Sequence, residues 1–261
     1  MDLDGIVGDA VKYPFTDWKK ILVLGILTMI SSIGAAMVFI GSLIGIKNVL
    51  VTIVLFVVGY VVIGFFVSGY NFRIIKTSIN GAQELPEFKS WVEMFIDGIK
   101  VSLVFIFYSL PAILIVIFAG ISIYPMLHGL TTDPSSVNIY TILTVISAAI
   151  LVLIAVMYII IILPLNYMAI AYMADNDSKF SFAFKFREIL DKIGSIGWGN
   201  LIIWYLVIGT IYILISIVGS IVTGIFSILT PFVGIILTSL IISPYLHMFL
   251  NRSIAMVYSS E

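Results

Sequence analysis

Residues 139–173 read IYTILTVISAAILVLIAVMYIIIILPLNYMAIAYM, a run without a single Asp, Glu, Lys, Arg or His. A surface helix of a soluble domain keeps one polar face, and this run has none. It is also longer than the about 20 residues that a helix needs to cross the hydrocarbon core of a bilayer. Working outward from it, comparable apolar runs occupy Ile21 to Ile46, Val49 to Tyr70, Val101 to Leu127, Leu201 to Leu229 and Phe232 to Leu250. With Ile139 to Met173 these predict an all-α integral membrane fold of six transmembrane helices. The links Lys47-Asn48 and Thr230-Pro231 are so short that neighbouring runs must turn back on each other, giving three antiparallel hairpins. The fourth run is long enough to tilt or project, with a kink expected at Pro164.

Composition sets the same frame. Apolar residues make up 61% of the 261, charged residues only 10%, where a soluble domain has about 25%. Mean hydropathy is +1.21. The formal net charge of -1 gives no bias towards nucleic acid, so the expected partner is the lipid bilayer itself, with a membrane or cytoplasmic protein as a further one. Cysteine is absent, which removes disulfides, thiolate metal sites and thiol catalysis from consideration. Lys19 and Lys20 before an apolar stretch, with small residues at Ser32 to Ala36, have the outline of a signal peptide. The run continues to Ile46, however, which suits an uncleaved spanning helix.

Basic residues orient the chain. With the N-terminus in the cytoplasm every Lys and Arg except Lys47 falls on the cytoplasmic side, and the outer loop His128 to Asn138 has neither. Both termini are then cytoplasmic, in a cell membrane. The four tryptophans, Trp18, Trp91, Trp198 and Trp204, all fall at or near the inner face, where indole favours the headgroup region.

Two cytoplasmic segments are amphipathic. After Pro86, residues Phe88, Trp91, Val92, Phe95, Ile96 and Ile99 recur at helical spacing, opposite Glu87, Lys89, Glu93, Asp97 and Lys100. Phe182, Phe186, Ile189, Leu190 and Ile193 repeat the pattern, with Asp191 in the place of Asp97. A helix lying in the interface is the reading adopted; the alternative makes these segments the cytoplasmic ends of long helices. Together they suggest one membrane domain, 1–261, built from repeat units 1–80, 81–175 and 176–261. Helix-bending residues recur near the inner ends of the even spans, at Gly69-Tyr70-Asn71, Pro164-Leu165-Asn166 and Pro244-Tyr245-Leu246.

Ala10-Val11-Lys12-Tyr13-Pro14-Phe15-Thr16-Asp17-Trp18-Lys19-Lys20 begins a series of distinctive stretches. It continues with Gly69-Tyr70 and Arg73, then Gly81-Ala82-Gln83-Glu84-Leu85-Pro86-Glu87-Phe88 and Phe95-Ile96-Asp97-Gly98-Ile99-Lys100. Together they resemble the archaeal membrane family catalogued as domain of unknown function 4013. The resemblance implies an archaeal cell-membrane protein, and it implies no activity and no site residues. Read physically, Tyr13, Trp18, Lys19 and Lys20 would anchor the first span at the interface. Gly81 with Pro86 would turn the chain out of the second.

Motifs for chemistry are missing from the sequence. The spans carry hydroxyls, amides and aromatics, while every Asp, Glu, Lys and Arg lies at or beyond a span end, which argues against proton-coupled transport. His128 and His247 fall on opposite sides of the expected membrane and cannot share a metal. Phe66-Val67-Ser68-Gly69 lacks the first glycine of a nucleophile elbow. Asn176-Asp177-Ser178 and Asn251-Arg252-Ser253 match the glycosylation pattern but lie on the cytoplasmic side. No catalytic, cofactor-binding or metal-binding residue is assigned. Small residues suggest close helix packing at Gly41 and Gly45, along Ser216, Ser220, Thr223 and Ser227, and along Thr230, Gly234 and Thr238. A polar conduit along the Ser216 to Ser227 face is the alternative. The expectation is a non-catalytic membrane component such as a scaffold, assembly factor or lipid organiser, with a passive channel or permease for a small solute as the second reading.

Overall fold

The computed structural model describes residues 1–43, 51, 54, 57–132, 139–228 and 231–260. Among them every regular element is helical. In chain order these are α1 (Leu3–Lys12), α2 (Trp18–Leu43), α3 (Ile63–Ile79), α4 (Trp91–Thr132), α5 (Ile139–Asp175), α6 (Phe186–Ile196), α7 (Trp198–Ser227), α8 (Pro231–Leu237) and α9 (Ser243–Tyr258). Short 3-10 turns cover Tyr13–Thr16 and Phe180–Phe184, and wider π turns cover Val57–Val62 and Thr238–Ile242.

Five described segments are long and apolar enough to cross a membrane: Val57–Ile79, Trp91–Tyr124, Ile139–Asp175, Trp198–Ser227 and Thr238–Tyr258. Their large apolar side chains are widely exposed, with Ile161 in α5 at 71% and Val92 in α4 at 74%. Apolar faces of that extent are those of helices that meet lipid or other apolar helices. The expected first span coincides with α2 as far as Leu43. Its remaining residues, the Lys47-Asn48 link, Gly45, Asp133 to Asn138 and Thr230 lie outside the described residues.

The chain divides into two compact units, one of Met1–Ser102 with Met168–Glu261 and one of Leu103–Tyr167. Within the smaller unit, Ala112, Ala119, Ala148 and Ala155 are buried, and the Tyr158 hydroxyl donates to the Tyr108 carbonyl at 3.0 Å. Small side chains of this kind let apolar helices approach closely.

In the larger unit, α9 packs against α1, α2, α3 and α7. A core of Tyr13, Ile21, Leu24, Val67, Tyr70, Ile74, Leu85, Met94 and Met248 joins the first turns of α2 to α3, α9 and the start of α4. Asp17 starts α2: its carboxylate accepts the backbone N–H of Lys19 at 2.9 Å and of Lys20 at 3.3 Å. Desolvation works against it, but those amides and the Lys20 ammonium hold the Asp17 carboxyl below its ordinary value.

Three sequence expectations are corrected. The stretch Phe88 to Ile99 is not a separate interfacial helix, because α4 runs unbroken from Trp91 to Thr132. No residue between Trp91 and Val101 breaks it, and Gly98 is held in place by packing. Asp97 is not on a solvated face: it is only 7% exposed and pairs with the Lys100 ammonium at 2.9 Å. Trp18, Trp91 and Trp198 are exposed and each opens a long helix, as interface anchors would, but Trp204 is fully buried. The second amphipathic stretch does form a helix of its own, α6, since Gly197 at φ 92 separates it from α7. Its apolar stripe divides, with Ile189 and Ile193 buried and Phe186 and Leu190 exposed.

Candidate functional site

The segment between α3 and α4, residues 80–90, has no ladder of its own, so its carbonyls must be satisfied by side chains or water. They are met by side chains from around the unit. The Arg252 guanidinium in α9 donates to the Ala82 carbonyl at 2.6 Å, the Tyr13 hydroxyl to Glu84 at 3.1 Å, and the Lys20 ammonium to Leu85 at 2.6 Å. The Tyr70 hydroxyl donates to Pro86 at 2.9 Å, while Arg73 donates to Glu87 at 3.0 Å and to Lys89 at 2.5 Å. The Phe88 ring stacks on Tyr70 with centroids 3.9 Å apart.

Arg252 is the centre of this collar. It is 3% exposed, and besides Ala82 it reaches the Asp9 carboxylate at 2.5 Å and the Gln83 side-chain oxygen at 2.9 Å. Its guanidinium lies 4.7 Å from the centre of the Tyr13 ring. Burial pushes the Tyr13 phenol up, so it stays protonated and donates to Glu84. A planar fork with several donors suits this arrangement in a way that a lysine could not. Tyr13 and Lys20, expected to face lipid headgroups, are turned instead onto the 80–90 segment. Arg252, which the sequence reading placed simply beyond a span end, is buried. The signal that could have found it is the pairing of a lone Arg near an apolar helix end with distant Asp9 and Gln83, and spacing along the chain does not reveal that pairing.

A second feature lies among the apolar helices of the same unit. Thr28, Ser31 and Ser32 of α2, Tyr60, Gly64 and Ser68 of the Val57–Ile79 segment, Ser102 of α4, and Ser243 and His247 of α9 line a recess of about 420 Å³. The His247 Nδ1 lies 3.0 Å from the Asn71 side-chain nitrogen. The sequence alone denies His247 a metal shared with His128 and does not connect it with hydroxyls on three other segments.

The Ser216 to Ser227 face, offered as a conduit, looks different. Ser216, Ser220 and Ser227 each donate to the carbonyl four residues back in α7, at 2.8 Å. Thr223 and Thr238 share a hydrogen bond of 2.8 Å, and a side chain at Gly234 would run into Ser227. These contacts are those of close packing.

Among the described residues no group of three or more His, Cys, Asp or Glu is placed to hold a metal. The collar's charges are tied to one another and to backbone carbonyls. Among the described residues the recess is lined by hydroxyls, an imidazole and apolar side chains.

Comparison with known proteins finds no match among curated proteins and none among solved structures. A family description does match, over residues 52–224 of the 261. That range takes in α3, the carbonyl-rich segment 80–90, α4 to α6 and most of α7; the Ala10 to Lys20 stretch and Arg252 fall outside it. The match says nothing of an archaeal source. Covering well over half of the chain, it shows that the protein belongs to the family described as "Protein of unknown function (DUF4013)".

Proposed function

We propose that the protein is a non-catalytic component of a cell membrane, acting as a scaffold, assembly factor or lipid organiser. In this reading it crosses the bilayer six times as three hairpins, with both termini in the cytoplasm. The observation that supports it is the collar. Side chains from the Tyr13–Thr16 turn, α2, α3 and α9 all hold the 80–90 segment, so charged groups fix the shape of one face and do not converge on a reacting centre. A rigid face at one end of a lipid-exposed helical unit is what holding a neighbouring protein or lipid in place requires.

The test is affinity purification from native membranes with quantitative lipid and protein identification, run beside an Asp9→Ala/Arg252→Ala variant. The reading expects a lipid or protein species present in fixed ratio with the wild type and lost from the variant. A preparation that carries no such species and turns over a substrate would contradict it.

A second reading, a passive channel or permease for a small solute without proton coupling, is favoured by the hydroxyl-lined recess. In proteoliposomes it expects solute flux down a gradient that is unaffected by an imposed pH gradient. Uphill accumulation driven by protons would overturn it.

A further inference from the structure

We propose that the recess lined by Thr28, Ser31, Ser68, Ser102, Ser243 and His247 is a binding site for one small, uncharged molecule carrying several hydroxyl groups. The inference rests on the membrane reading of these helices and is independent of whether anything permeates.

Hydroxyls in apolar helices ordinarily satisfy themselves on their own helix. Ser32 donates to Thr28 and Ser102 to Gly98, each at 2.8 Å. Ser68 and Ser243 do not do this. Neither hydroxyl has a hydrogen-bond partner among the described residues, and the same holds for His247 Nε2, yet all three belong to residues lining the same recess. These groups are half-buried and open to the recess, so water meets them there until a ligand with hydroxyls of its own replaces it.

The walls are also held apart. Tyr60 and Val61 of the first π turn line this recess, as does Ser243, the residue that directly follows the second. Widened turns of this kind loosen the carbonyl ladder and recur at functional sites. Hydroxyls of α2 take up carbonyls from both: Thr28 donates to Ser239 at 2.5 Å and Ser31 to Tyr60 at 3.4 Å. The recess is therefore shaped before a ligand arrives, and its polar groups need no reorganisation to meet one.

Charge and size narrow the ligand. Among the described residues no Asp, Glu, Lys or Arg lines the recess, so an ion entering it would lose hydration without a charged partner. A volume of 420 Å³ corresponds to about 14 waters, room for a molecule of several carbons. Val61, Phe65 and Val67 supply apolar contact for a carbon backbone. In the Asn71–His247 hydrogen bond the amide nitrogen can only donate, so Nδ1 accepts and Nε2 carries the proton as a donor. An alcohol hydroxyl can accept from Nε2 and also exchange hydrogen bonds with the serine hydroxyls, since it both donates and accepts. A free polyol and the glycerol head of a neutral lipid carry this same chemistry.

The experiment uses the full chain in lauryl dimethylamine oxide, a detergent without hydroxyls, with erythritol, monoolein and methyl oleate as probes and saturation-transfer NMR as readout. Erythritol signals would identify a free polyol, and monoolein signals without erythritol a lipid head; either supports the proposal. A Ser68→Ala/Ser243→Ala variant should weaken binding about tenfold or more, as expected for lost hydrogen bonds. A Ser195→Ala control, outside the recess, should not. If the double variant does not fold, His247→Phe serves in its place. Equal signals from monoolein and methyl oleate, no signal from erythritol or monoolein, or equal binding by wild type and recess variants would overturn the proposal and leave a water-filled recess. Side-specific labelling of the termini is unaffected by any of these results, so failure of the site and failure of the membrane reading remain distinguishable.

Discussion

Gly69 in α3 and Gly98 in α4 face each other reciprocally: a side chain on Gly69 would meet the Met94 carbonyl, and one on Gly98 would meet the Phe65 carbonyl. Each helix thus presses its backbone into the space left by the other's missing Cβ. This contact holds the first turns of α4 against α3, and it involves two of the residues that carry the family resemblance.

Overpacking at that crossing is expected to be costly. Gly69→Ala or Gly98→Ala should destabilise the fold by about 1–3 kcal/mol. Gly209→Ala in α7, where nothing lies within 4 Å, should be neutral or slightly stabilising because alanine favours helix. Thermal unfolding in detergent checks the pair; equal melting temperatures for all three variants would contradict the close crossing.

Arg252→Ala leaves the Asp9 carboxylate and the Ala82 carbonyl without their partner, and a loss of about 2 kcal/mol is expected, less than for a fully buried pair because the Asp9 side chain is one-third exposed. Adding Asp9→Asn should restore part of that loss. Arg252→Lys should recover little, since one ammonium cannot reach Asp9, Ala82 and Gln83 together. Chemical denaturation of the four proteins measures this, and full rescue by lysine would rule out the fork geometry.

Asp17 makes the start of α2 sensitive to acid. Its carboxyl is held below the ordinary value in the folded chain, so its contribution is present above the unfolded value of about 4 and is lost as pH falls through the folded one. Asp17→Asn should remove that part of the acid transition, with a cost at neutral pH of about 1 kcal/mol for the weakened cap. An unchanged acid limb in a melting-temperature profile would show that Asp17 is not responsible.

At the start of α4 the exposed apolar positions and the exposed polar position are expected to report different surroundings. Spin labels at Val92 and Ile96, both exposed and apolar, should be relaxed by oxygen dissolved in lipid, and a label at Glu93 by a water-soluble nickel reagent. Identical relaxation at the three sites would mean that the start of α4 does not lie at a membrane boundary.

Which parts of this were legible in the sequence follows from the range of the interactions. Apolar runs are local, so the helices over Ile139–Asp175 and Trp198–Ser227 could be read directly, whereas the run expected to end at Tyr70 continues as helix to Ile79. The burial of Asp97, the buried position of Trp204 and the collar around Arg252 depend on contacts between distant segments, such as Arg252 with Asp9. Periodicity placed Asp97 on the polar side of its stretch, but its partner Lys100 lies one turn on and the Lys100 ammonium also reaches the Ser178 carbonyl at 2.9 Å, which draws the pair inward. The recess was hidden for a related reason. Its hydroxyls come from four segments, each carrying one to three of them, and such residues read singly mean only packing.

The central claim, six crossings with both termini in the cytoplasm, is tested most directly by side-specific labelling, for which a chain with no native cysteine is well suited. Single cysteines replacing Ser135 and Ser259 would be exposed in intact cells to an impermeant maleimide. The account predicts that position 135 labels from outside and position 259 only after the membrane is opened. Labelling of both from the same side would contradict it.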